Sequence, residues 1–188
     1  MKHSRGFTLI EVLVVIVVVA LLVSISALNS DSDPREDILK TEASRIKFYL
    51  ELATDEAILN SKNLGLNLTE KQISPYSWVK STANSDATTN IATPTSDKWA
   101  WTDFQSQNLS PIQTNNNIEL QLYINEKEIT LLTELQDNKP VTPQIIIQSS
   151  GIQTLVEIKL SISDYENTIS IKSNGAGRFK VGVLSNEI

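Results

Sequence analysis

Residues 7–28, FTLIEVLVVIVVVALLVSISAL, form an apolar run interrupted by a single carboxylate, Glu11. A helix rises about 1.5 Å per residue, so the run reaches roughly 30 Å, the thickness of a bilayer's hydrocarbon core. No proline or glycine breaks it, and valine, isoleucine and leucine dominate. The run predicts a transmembrane helix, and any water-facing domain must be built from the residues after it. Lys2 and Arg5 precede it. The positive-inside tendency keeps that end cytoplasmic and sends the C-terminal part across the membrane. An ionised carboxylate near the bilayer centre costs about 2.5–3.5 kcal/mol on insertion scales. At a helix N-terminus close to the interface, the helix macrodipole reduces that cost.

Three readings of this segment compete. A cleaved secretory signal has an apolar stretch of about 7–15 residues and a small-residue cleavage site. Ser24-Ile25-Ser26-Ala27 offers the small residues, but the run is too long and carries Glu11. A plain anchor accounts for the length and not for Gly6 or Glu11. The third reading covers all of it: Gly6-Phe7-Thr8-Leu9-Ile10-Glu11 ahead of an unbroken apolar helix resembles the class III signal of type IV pilins and type II secretion pseudopilins. The resemblance implies that a prepilin peptidase cleaves between Gly6 and Phe7 and that Phe7 becomes the N-methylated first residue. Glu11 would then be the fifth residue of the mature chain. It would pair with the Phe7 amine of a neighbouring subunit, as an assembly device. The plainer alternative is a glutamate snorkelling to the interface.

Composition removes other functions. The chain has no cysteine, and its single histidine is His3, so no disulfide, thiolate site, Ser-His-Asp triad or histidine metal cluster can be built in its body. The net charge of −6 and the lack of a basic stripe with interleaved aromatics argue against nucleic acid. No catalytic residue, metal site or cofactor is expected, although paired-carboxylate chemistry stays open.

Asp33-Pro34-Arg35-Glu36 has the form of a capping box with proline at the first helical position. Leu39, Ala43, Ile46, Leu50, Ala53 and Ala57 then recur at alternating spacings of four and three, which predicts an amphipathic helix with one buried stripe. The helix is expected to end near residues 60–66, where Asn63 and Gly65 supply stop signals. Pro34 and its acidic neighbours suggest a kink at the junction between the two helices, and capping explains those acids better than a calcium loop. Strands are predicted over 65–68, 73–80, 118–125, 128–134, 144–148, 154–162, 168–172 and 178–184. Gly175-Ala176-Gly177 reads as a hairpin turn. The Ser/Thr/Asn-rich stretch 81–117 reads as long surface loops. Within it, Trp99 and Trp101 would share a side if extended. They either tack the loop onto the sheet, the favoured reading, or form a candidate partner contact.

The stretch EASRIKFYLELATDEAILNSKNLGLNL is similar to the stalk of the H-type minor pseudopilins, the GspH/FimT family. Trp78, IIIQSSG and ISIKSNGAGRFKVG fit the same family's later strands and terminal hairpins. This implies an α+β, type IV pilin-like fold: a long N-terminal helix, half transmembrane and half amphipathic, packed on antiparallel β-sheets. The expected divisions are a leader at 1–6, the transmembrane and assembly helix at 7–28, the amphipathic helix at 29–66 and a β-rich domain at 67–188. The implied protein is a non-enzymatic subunit at or near a pseudopilus tip. It would sit in the inner membrane of a Gram-negative bacterium, with its C-terminal domain in the periplasm. Its implied partners are major and minor pseudopilins, the prepilin peptidase and the inner-membrane secretion platform. Two alternatives remain open: a minor type IV pilin priming a pilus, and a membrane-tethered periplasmic enzyme or binding protein. The missing cysteine, and with it the C-terminal disulfide loop usual in major pilins, argues mildly against an adhesive pilus subunit.

Overall fold

The computed structural model describes residues 8–27, 33–81, 98–134 and 141–184. They divide into an N-terminal unit ending at Asp37 and a larger unit beginning at Ile38. The first unit contains helix α1, Leu9–Ala27, and the start of helix α2, Pro34–Leu59. The expected kink between the helices falls on residues outside those described.

Helix α2 begins as its sequence requires. The Asp33 carbonyl accepts the Glu36 amide at 2.9 Å, and its carboxylate accepts the Arg35 amide at 2.9 Å. The side chain therefore caps the second helical residue and not the third, as a strict capping box would. The Arg35 guanidinium beside it holds the Asp33 carboxyl below its ordinary value. The six stripe residues, Leu39 to Ala57, are all fully buried. Burying each large one stabilises the fold by roughly 2 kcal/mol. The helix stops earlier than Asn63 and Gly65 suggest. Ser61 adopts φ +51°, its amide bonds to the Ile58 carbonyl, and the Lys62 amide bonds to the Ala57 carbonyl at 3.0 Å. That pair is a Schellman motif. The expected boundary at 66 is corrected accordingly, because Leu64 already opens the first strand.

Among the described residues ten strands come after it, in two antiparallel sheets. β1 is Leu64–Leu68, β2 Gln72–Ser81, β3 Lys98–Asp103, β4 Ile112–Gln113 and β5 Glu119–Ile124. β6 is Lys127–Ile129, β7 Ile145–Ile147, β8 Val156–Ser161, β9 Thr168–Ser173 and β10 Phe179–Leu184. The first sheet runs β3-β2-β1-β7 with β4 also on β2, and the second runs β10-β9-β8-β5-β6. Leu64, Leu66 and Leu68 from the first sheet join Ile158, Leu160, Ile169 and Ile171 from the second and the α2 stripe in one core. The strand expected over 128–134 is only the short β6, closed by a two-residue turn with Asn125 and Glu126 at φ 50° and 68°. The β9–β10 connection is the expected turn. Gly177 sits there at φ +79°, where an added Cβ would lie 2.8 Å from Thr54 Cγ2.

The stretch 81–117 is not simply loops, since it contains β3 and β4. The chain beyond β3 is strapped along one flank of α2 by polar side chains at positions 42, 45, 49 and 56. Glu42 accepts the Asn115 amide at 3.2 Å and the Arg45 Nε at 2.9 Å, and the Arg45 guanidinium reaches the Gln113 carbonyl. The Tyr49 hydroxyl donates to the Ser110 carbonyl at 2.9 Å, and Glu56 accepts from Asn108 and Asn60. Spacings of three, four and seven keep these residues on one helix face. Burial pushes the Tyr49 hydroxyl well above its ordinary value, and the Glu42 hydrogen bond raises that of Arg45.

Candidate functional site

Two places carry the residues singled out from the sequence. At the N-terminus, Gly6 and Phe7 lie outside the described residues. Glu11 stands in the first turn of α1, where its amide and that of Val12 bond to the Thr8 carbonyl at 3.0 and 3.3 Å. The positive end of the helix dipole is therefore beside the carboxylate. The Glu11 side chain is exposed, and it has no side-chain partner among the described residues. Every side chain from Thr8 to Ser24 is likewise exposed, including thirteen large apolar ones from Leu9 to Val23. Ser24 returns its hydroxyl to the Ala20 carbonyl at 2.8 Å, so this polar group is satisfied within the helix. Among the described residues no helix is long and apolar enough to cross a membrane. The sequence-level run 7–28 extends past both ends of Leu9–Ala27.

The second place is the outer face of the first sheet. β2 and β3 pair so that Trp78 faces Trp101 and Lys80 faces Trp99. Strand alternation then puts Trp78, Trp99 and Trp101 on one side. Trp101 tilts against Trp78 with ring centroids 5.0 Å apart, and Trp99 stacks on Trp78 at 6.3 Å. Beneath them Gly65 leaves room: a Cβ there would come within 2.9 Å of the Trp101 ring and 2.5 Å of Pro143. The Tyr76–Asp103 pair shares this face. Burial raises the Tyr76 hydroxyl, and the nearby Asp103 carboxylate raises it further. Trp101 therefore fastens β3 to the sheet, as the favoured reading has it, while Trp99 remains 54% exposed. Trp78, the centre of the cluster, is the member that sequence reasoning missed. Only the β2–β3 register makes it a neighbour of residues some twenty positions away. Among the described residues no group of three or more His, Asp or Glu side chains is arranged to hold a metal ion.

Residues 1–27 match the family model of the prokaryotic N-terminal methylation motif. The chain is 38% identical over 68 residues to the type II secretion system protein H of Pseudomonas aeruginosa, covering 36% of this chain and 40% of that protein. It thus spans about two-fifths of the length of that relative. It is 26% identical over 157 residues to the Escherichia coli protein of the same name, covering 80% and 77%. Among solved structures it resembles the crystal structure of the minor pseudopilin EpsH of the Vibrio cholerae type II secretion system. That match has a TM-score of 0.54 at 14% identity, over 77% of this chain and 93% of that one. It also resembles the solution structure of Escherichia coli GspH, with a TM-score of 0.52 at 16% identity, over 85% and 96%. Residues 1–27 thus carry an N-terminal methylation motif, and the fold that goes with it is of the α+β, pilin-like class. Within that class, the fold is that of the H-type minor pseudopilins.

Proposed function

We propose that this protein is a minor pseudopilin of a type II secretion system, a structural subunit at or near the pseudopilus tip that supports export of folded proteins. The observation that carries the reading is the union in one chain of the methylation motif over residues 1–27 and the H-type fold. Prepilin peptidase cuts after Gly6, and the new terminus at Phe7 is methylated. The apolar helix holds the protein in the inner membrane, with the β-rich domain in the periplasm. Glu11, on the first turn of α1, meets the Phe7 amine of an adjacent subunit. In lipid such a pair is less screened than at a protein surface, so it favours association where a lone carboxylate opposes burial. Trp99 supplies exposed aromatic area for a neighbouring subunit. The protein acts by contact, without catalysis.

Intact-mass measurement on membrane-extracted protein tests the processing step. The expected chain begins at Phe7 and carries one added methyl group. A mature terminus near Ala27 would mean an ordinary signal peptide and would end this reading. Deleting the gene should stop release of a folded exoprotein, and a plasmid copy should restore it. Loss of surface pili with secretion intact would assign the protein to a type IV pilus.

A further inference from the structure

The second sheet ends at β10, which among the described residues pairs only with β9. Edge strands usually discourage further pairing with charge, proline or a bulge. β10, FKVGVL, has neither proline nor, over six registered pairs, a bulge. Its one charge, Lys180, lies directly opposite Lys172. Like charges in that position oppose sheet formation. Glu157 answers Lys172 at 3.3 Å, and Lys159 lies 4.3 Å over the Tyr123 ring, but Lys180 has no anionic partner among the described residues. In a chain of net charge −6 this is a local cationic surface.

The other face of β10 is apolar and incompletely covered. Val181 and Val183 pair with the buried Ile171 and Ile169, yet they stay 41% and 52% exposed. The backbone phase is also fixed. The Phe179 amide turns away from β9 to the Glu51 carboxylate at 3.2 Å, and the Asn174 amide bonds to the Arg178 carbonyl. By antiparallel alternation, the amides and carbonyls of Val181 and Val183 point out from the edge. A groove of about 470 Å³ lies over the lysine face beside this edge, its lining including Ser170, Lys172, Lys180, Gly182 and Leu184.

We propose that β10 receives an extended segment of a partner protein in which carboxylates alternate with apolar side chains. The segment's backbone adds a strand along Val181 and Val183. Its carboxylates fall on the Lys180–Lys172 face, and its apolar side chains fall beside Val181 and Val183. Charge complementarity selects the acid, and the two-residue strand period selects the alternation. A lipid headgroup would satisfy the lysines but not the outward backbone groups. The inference goes beyond the secretion reading and rests on the sheet edge alone.

The test uses the full chain in detergent and a fluorescent decapeptide of alternating glutamate and valine, followed by anisotropy. Saturable binding is expected. The double variant Lys172→Glu/Lys180→Glu should bind about tenfold more weakly or worse, and should accept a lysine–valine peptide instead. Val181→Pro removes an outward amide without touching the β9 ladder, and should weaken binding at an unchanged melting temperature. If that variant does not fold, peptides N-methylated at alternate amides make the same cut from the other side. Equal binding of a peptide with its glutamates in one block would overturn the proposal. So would indifference to both the proline and the N-methyl groups, or binding to phosphatidylglycerol vesicles without binding to the peptide.

Discussion

The two helices place carboxylates in opposite circumstances. On α2, Glu42 and Glu56 are 7% and 6% exposed, and each accepts hydrogen bonds from a segment more than fifty positions away. On α1, Glu11 stands exposed among apolar side chains and meets no side-chain partner among the described residues. Taking a carboxylate out of water is costly unless it is paired. The α2 glutamates solve that problem inside the chain, and so they belong to the fold. The α1 glutamate leaves it open to be solved between chains. A helix that is polar outside and apolar on one stripe folds with its own domain, whereas one that is apolar all round needs lipid or other helices.

If that contrast holds, disabling an α2 glutamate should damage the fold, and disabling Glu11 should not. Glu42→Ala strips the Asn115 amide of its acceptor and leaves Arg45 without its ion-pair partner. The expected loss is about 2 kcal/mol, read as a lower denaturant midpoint with an unchanged slope. A loss within a few tenths of a kcal/mol would mean that the strap along α2 contributes little. Tyr49→Phe removes the hydrogen bond to the Ser110 carbonyl and should cost about 1 kcal/mol.

The same tyrosine sets an alkaline limit. Burial raises the Tyr49 and Tyr76 hydroxyls in the folded state above their ordinary value of 10.0. Their contribution is complete below that value and is lost as pH rises through the folded pKa, because the unfolded chain ionises first. Melting temperature should therefore be insensitive to tyrosine ionisation up to about pH 10 and fall above it. The fall should be shallower in Tyr49→Phe. Glu11→Ala should leave the melt unchanged and membrane insertion intact, since the helix only becomes more apolar. What should drop is crosslinking to adjacent pseudopilins in membrane fractions, together with exoprotein secretion. Wild-type crosslinking in that variant would leave the carboxylate as a residue that merely snorkels.

Legibility tracked the strength of local periodicity. The α2 stripe was readable to the residue, and β8 and β10 to within two residues at their ends, where Val156, Ile158 and Leu160 or Phe179, Val181 and Val183 alternate with other residues. β3 was not, because its tryptophans face outward while Ala100 and Thr102 take the alternate positions, the reverse of an apolar-in pattern. β4 is two residues long and exists only through its pairing with Gln72 and Ile73. The helix stop, expected near residues 60–66, falls at the early end of that range: serine is not the usual residue at positive φ, and Ser61 takes it because the Schellman bonds hold it there.

Residue order along the chain was enough to specify the apolar N-terminal run, the methylation motif that contains Glu11, the amphipathic helix and most strands. Each depends on neighbours within a turn or two of helix, or on simple alternation. Tertiary structure alone determined that Glu42 and Glu56 are buried rather than solvated, that Gly65 lies under Trp101, and that Lys180 faces Lys172. Those outcomes depend on strand register and on partners tens of residues distant, and no local pattern encodes which distant segment will arrive to satisfy a polar group.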